Sequence, residues 1–243
     1  MLYAFITAML TAVSCTNDIP ANVTGDTSGN TSEDTSGSGS GDLSGNSGKI
    51  SIVASVASQT RTPQLGSDGS GSFQKGDKMT LCITGGAAPV VTDYAYEVDF
   101  LQWPDFGLSE EVSQVTFSAC YPTQKVEQDG TFEFNSFNSS YDDLLLAAAQ
   151  PVEVGTSEAV SLTFRHALHR LNLEIQPGKG YTEDDLSQLS CTFSAKTTCV
   201  VDAVKGSVKE VKDEQGSLTV TGAKASFYLV PQATDGISFT LTL

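Results

Sequence analysis

The sequence predicts an all-β protein, one β-sandwich or two, and three observations carry that prediction. Short runs rich in Val, Ile, Thr, Phe and Tyr recur from residue 49 to the end. Turn dipeptides separate them. Helix-like composition is confined to two short stretches, "YDDLLLAAAQ" and "TEDDLSQL". Many short strands with turn signals between them pack as sandwiches, because each strand has an apolar face to bury.

The strands follow in order. "KISIVASVAS" sets Ile50, Ile52 (or Val53) and Val56 among small polar residues. Further runs are "KMTLCI" (78–83), "EVSQVTFSACY" (111–121), "TFEFNSF" (131–137), "AVSLTF" (159–164) and "HRLNLEI" (169–175). Then come "LSCTFSA" (189–195), "GSLTVTG" (216–222), "KASFYLV" (224–230) and "GISFTLTL" (236–243). In "HRLNLEI", Leu171, Leu173 and Ile175 fall on one face and Arg170, Asn172 and Glu174 on the other, as in a half-buried antiparallel strand. Turns are expected at Asp129-Gly130, Pro177-Gly178, Gln215-Gly216 and Asp235-Gly236. The chain stops inside its last strand run, which reads as a second sandwich left incomplete. The expected domains are 49–158 and 159–243.

The first 48 residues differ in texture. Residues 2–13, "LYAFITAMLTAV", are apolar and too short to span a bilayer, and they have the length of a signal-peptide core. Ala12-Val13-Ser14-Cys15 follows in the form of a lipobox. That pattern predicts a lipoprotein signal peptide over 1–14, a cut between Ser14 and Cys15, and acylation of the Cys15 thiol. More than one acyl chain gives stable anchoring where a single chain does not. The rest of this region, 15–48, reads as a tether. From Thr24 to Gly48, 18 of 25 residues are Gly, Ser or Thr. Such a segment buries too little surface to offset its ordering entropy. As a coil, 16–48 spans roughly 30 Å.

Charge and chemistry exclude several classes. Asp and Glu number 29 against 13 Lys and Arg, for a net charge of −16. Nucleic acid and anionic surfaces need a basic patch, and none is visible. No phosphate loop or nucleophile-elbow motif is present, and no metal-ligand spacing. The two histidines, His166 and His169, fall at i and i+3 on strand-like sequence, so they point to opposite faces. Neither an enzyme nor a cofactor is expected. Cys82, Cys120, Cys191 and Cys199 read as reduced, buried residues. "YAYEVDFLQWPDFG" offers Trp103, Tyr94 and Tyr96 as a candidate sugar-stacking platform, with packing into the core as the plainer alternative.

Four pieces then occur in order: "FQKGDKMTL" (73–81), "VTFSACYPTQ" (115–124), "DDLLLAAAQ" (142–150) and "LTFRHALHRLNLEI" (162–175). Behind a lipobox and tether, this order resembles the fimbrillin-like lipoproteins of Gram-negative anaerobes, the subunits of type V pili. "FYLVPQ" (227–232) extends the likeness more loosely. The resemblance implies two tandem β-sandwiches of transthyretin-like, broadly immunoglobulin-like, form. It also implies a lipidated precursor carried to the outer membrane. An arginine-specific cut then removes the first strand, and the neighbouring subunit fills the groove by β-strand addition. Arg61 is the first arginine and follows the first strand, so Arg61–Thr62 is the expected maturation site. Ile50, Ile52, Val53 and Val56 mark the displaced strand. Lys49 is the alternative basic site. The expected function is a fimbrial structural or tip subunit on the cell surface that supports adhesion, with other fimbrial subunits as partners. A non-polymerising surface lipoprotein that binds glycans or host ligands is the alternative.

Overall fold

The computed structural model describes residues 48–57, 72–137 and 143–243 in full and residues 7–13 as backbone. The protein is an all-β sandwich assembly. A six-stranded sheet runs in the order β3 (Ile52–Val56), β10 (Val160–His166), β9 (Leu145–Glu153), β7 (Gln114–Tyr121), β4 (Lys78–Thr84) and β5 (Val90–Ala95). Neighbours are antiparallel except β3, which runs parallel to β10.

The central strands of this sheet are buried on both faces, because successive side chains alternate between two cores. Met79, Leu81 and Ile83 of β4 and Val115, Phe117 and Ala119 of β7 face one core. That core is closed by Ile50, Trp103 and Phe106. Ile50 comes from β2 (Lys49–Ile50), which pairs with β6 (Leu101–Gln102). Trp103 and Phe106 sit on the 3-10 turn Trp103–Phe106. Cys82, Cys120 and Leu146 face the opposite core, where they meet Phe132, Phe134, Cys199 and Val201.

The latter residues belong to a three-stranded sheet of β14 (Ser207–Val211), β13 (Thr198–Asp202) and β8 (Thr131–Asn135). A buried hydrogen bond ties the layers, Ser118 Oγ donating to the Ala203 carbonyl at 2.7 Å. Strands on both sides of position 158 therefore share sheets: β10 pairs with β9, and β13 pairs with β8. The expected cut between 158 and 159 passes through a hydrogen-bonded sheet.

A second sandwich packs β11 (His169–Gln176) and β16 (Lys224–Leu229) against β15 (Gln215–Thr221), β12 (Ser190–Lys196) and β17 (Ser238–Thr242). Leu171, Leu173 and Ile175 are buried at 2–4% exposure, as the alternation of "HRLNLEI" predicts. Phe193 stacks on Phe227 at 4.5 Å between ring centroids. The free side of β11 carries β1 (Thr7–Val13), antiparallel, with Leu10 opposite Leu173.

Two expectations change. "DDLLLAAAQ" looks helical by composition, yet β9 occupies residues 145–153. Its place between β7 and β10 overrides the intrinsic preference of Leu and Ala. The second helix-like stretch does form one turn, α1 (Glu183–Leu186), capped by Thr182, whose side chain accepts from the Asp185 amide. Gln215-Gly216 lies within β15 rather than in a turn. Gly216 is needed there because an added Cβ would come within 2.5 Å of the Thr197 side chain.

Candidate functional site

The candidate site is the β3 edge and the core that β3 closes. Among the described residues β3 has one sheet neighbour, β10, with Ile52 opposite Val160 and Val56 opposite Phe164. The ladder extends at both ends. The Val160 amide donates to the Ser51 carbonyl at 2.8 Å, and the Ala57 amide donates to the Phe164 carbonyl at 2.8 Å. Alternation sends Ile52 and Ala54 inward, at 6% and 9% exposure, with Val56 packed at the margin. They lie along Val160, Leu162 and Phe164, which are buried to 2% or less.

Of the four residues expected to mark this strand, Ile50, Ile52 and Val56 contribute to the core. Val53 lies in β3 but is 48% exposed, because it sits on the odd-numbered, outward side of the strand, so of the pair Ile52 or Val53 it is Ile52 that faces the core. Ala54 takes the inward place, and the period-2 rule applied from Ile50 identifies it. Lys49 is paired through its backbone with Gln102, and its ammonium lies 4.0 Å from the centroid of the Phe100 ring. Arg61, Thr62, Ser14 and Cys15 lie outside the described residues.

The aromatic platform is also corrected. Trp103 is 8% exposed and meets Phe106 and Phe117 edge-on at 6.2 and 6.3 Å. Tyr94 is 5% exposed, and Tyr96 packs against Phe73. Trp103 and Tyr94 are part of the core that β3 closes, and Tyr96 packs partly buried against it. Phe100, at 67% exposure, is the exposed ring of that stretch.

The motif pieces prove to be joints. In "FQKGD", the Gln74 amide donates to Asp77 Oδ2 at 2.7 Å, and the Gly76 amide donates to the Tyr96 carbonyl. This turn sets Phe73 against Phe164 at 4.6 Å and Tyr121 at 5.3 Å, beside the end of β3. "DLLLA" and "FRHAL" meet through a contact between His166 Nδ1 and Asp143 Oδ2. The Ala167 amide then donates to the Leu144 carbonyl. In "FYLVPQ", Gln232 clamps one residue from both sides. Its Oε1 accepts from the Lys196 amide at 3.0 Å, and its Nε2 donates to the Lys196 carbonyl at 2.8 Å. Sequence reading missed these pairings because the partners are 23 and 36 residues apart. Gln232→Ala leaves both backbone groups of Lys196 without these partners. The expected loss is about 1–3 kcal/mol, read as a lower urea midpoint at unchanged slope.

The chemistry of the described residues is quiet. No group of three or more metal-ligating side chains forms among them. Burial holds the His169 pKa below its ordinary value. Burial also pushes the Cys82 thiol up to about 11 and those of Cys120 and Cys199 to about 12. Thiols so placed are poor nucleophiles at neutral pH. What the site offers instead is an edge strand, a row of apolar side chains beneath it, and the backbone ladder of β10.

A candidate cell adhesion protein from Bacteroides uniformis superposes with a TM-score of 0.55 at 18% identity, over 82% of this chain and 81% of its own. A second, from Bacteroides thetaiotaomicron, gives 0.49 at 17% identity, over 80% and 82%. The first likeness shows the shared fold. No curated protein matches the sequence. The fimbrillin-like family model matches residues 60–243. The chain belongs to the fimbrillin-like family.

Proposed function

We propose that the protein is the lipid-anchored precursor of a fimbrial structural or tip subunit that serves adhesion at the cell surface. Cys15, freed by the cut after Ser14, holds it to the outer membrane during delivery. Cleavage between Arg61 and Thr62 then releases β3 together with the anchor. A strand from a neighbouring subunit takes its place on β10. The role is structural rather than enzymatic.

One observation carries this reading: among the described residues β3 is an edge strand with a single, parallel neighbour, yet it plugs a core. Parallel ladders are slightly less stable per residue than antiparallel ones, so an incoming antiparallel strand has something to gain. Support also comes from the family match, which begins at residue 60, just past β3. The glycan-binding alternative loses its Trp103 platform and needs another surface.

A covalent lock tests the exchange. Ser55 and Thr163 are exposed, directly opposed residues of β3 and β10. Adjacent strands lie about 4.8 Å apart, within reach of a disulfide. The Ser55→Cys/Thr163→Cys variant is expected to stay monomeric when oxidised and to polymerise after reduction. Polymerisation of the oxidised form at the wild-type rate would mean that β3 is not exchanged.

A further inference from the structure

The outer face of the second sandwich carries an ordered field of hydroxyls. Its three strands share one pattern: Ser-Cys-Thr-Phe-Ser (190–194), Ser-Leu-Thr-Val-Thr (217–221) and Ser-Phe-Thr-Leu-Thr (238–242). The apolar positions other than Leu218, which is 38% exposed, turn inward, where Phe193 and Phe239 meet at 5.1 Å. The hydroxyl positions turn outward and fall into register across the sheet. Thr192 lies between Thr219 and Thr240, and the rows on either side are likewise all Ser or Thr. The result is three rows of three. Spacing is about 4.8 Å between strands and about 6.8 Å along them.

Four of these hydroxyls are tied to one another in pairs. Thr192 Oγ1 and Thr219 Oγ1 are 3.0 Å apart, and Ser194 Oγ donates to Ser217 Oγ at 3.3 Å. Threonine is stiff at χ1, so presenting such a row costs little further ordering. The six positions on the outer two strands are exposed. No charge falls within the field. At its end Lys196 is paired with Asp213 at 2.7 Å. In a chain of net charge −16, this is a neutral face.

We infer that this face binds an uncharged, polyhydroxyl polymer, a neutral polysaccharide. Each hydroxyl can donate and accept, and so can each sugar hydroxyl. The neutral field lets an uncharged chain approach, while the acidic remainder of the protein repels anionic polymers. A protein partner fits less well, since protein interfaces favour aromatic rings and are depleted in Ser. Without an aromatic ring each contact is weak. Display of many copies along a fimbria would convert weak contacts into firm adhesion. The inference deepens the adhesive part of the proposed function and is independent of strand exchange.

The test uses the full chain coupled densely to beads, so that polymerisation plays no part. Retention on insoluble cellulose, β-1,3-glucan and mannan is measured in 0.05 and 1 M salt, with alginate as the anionic control. Binding to at least one neutral polymer is expected, unchanged by salt and absent on alginate. The triple variant Thr192→Val/Thr219→Val/Thr240→Val keeps β-branched side chains and is expected to lose at least 10-fold in retention. The corresponding Thr→Ser triple variant should keep most of it. A cooperative melt for each variant certifies its fold, and single substitutions at exposed Thr219 or Thr240 serve if a triple variant fails that check. Failure to bind any neutral polymer, salt-sensitive retention, or retention unaffected by loss of the hydroxyls overturns the inference. Self-association that the Val variant abolishes, without polysaccharide binding, overturns it in favour of a second copy.

Discussion

Cleavage between Arg61 and Thr62, with the released strand removed, is expected to cost the free subunit about 3–6 kcal/mol. That figure is the burial of Ile50 and Ile52 at about 1.5–3 kcal/mol each. The isoleucines are 3% and 6% exposed in the intact chain. Removing them also uncovers Val160, Leu162 and Phe164 and bares one backbone edge of β10. Against a typical stability of about 5–15 kcal/mol, the trimmed subunit becomes marginal. An apolar, unpaired edge of this kind seeks a strand. Assembly is therefore expected to return the loss. Urea denaturation of the intact chain, the trimmed monomer and the polymer checks this, with the polymer resembling the intact chain. A trimmed monomer as stable as its precursor would mean that β3 holds nothing together.

Trp103→Ala is expected to be the other severe change, destabilising by about 3–5 kcal/mol through the cavity it leaves. The ring meets Phe106 and Phe117 in a core with no other indole. Trp103→Phe should cost distinctly less. The indole N–H is buried without an acceptor among the described residues, so phenylalanine removes an orphaned donor along with the lost volume. Denaturation midpoints of the two variants separate these effects. A surface ring would behave otherwise, with Trp103→Ala within about 0.5 kcal/mol of wild type.

Much of the fold was legible because alternation is local. The inward set Leu171, Leu173 and Ile175 follows from period 2 alone, and the strand identities of β4, β7, β10, β12 and β16 follow from short β-rich runs set between turn signals. What was not legible depended on distant partners. β9 has the composition of a helix and is extended because β7 and β10 flank it. β13 returns from late in the chain to pair with β8, and β14 pairs with β13 in turn, a connection that no local pattern encodes. Val53 and Ile52 are equally apolar in sequence, and the choice between them rests on Ile50 being inward, which the core that it helps to close makes plain. For Trp103 core packing is the plainer reading of the sequence, but which core it fills shows only once β2, β6 and the 3-10 turn are seen to close it. The motif residues Asp77, Asp143, His166 and Gln232 drew attention as a family pattern. Their roles as joints required the three-dimensional pairing.

The central claim is that β3 leaves and another strand replaces it. N-terminal sequencing of the subunit recovered from assembled fibres tests it most directly. A mature terminus at Thr62, with Ile50–Ser58 absent from the polymer, is the predicted result. Fibres whose subunits retain that strand would contradict it.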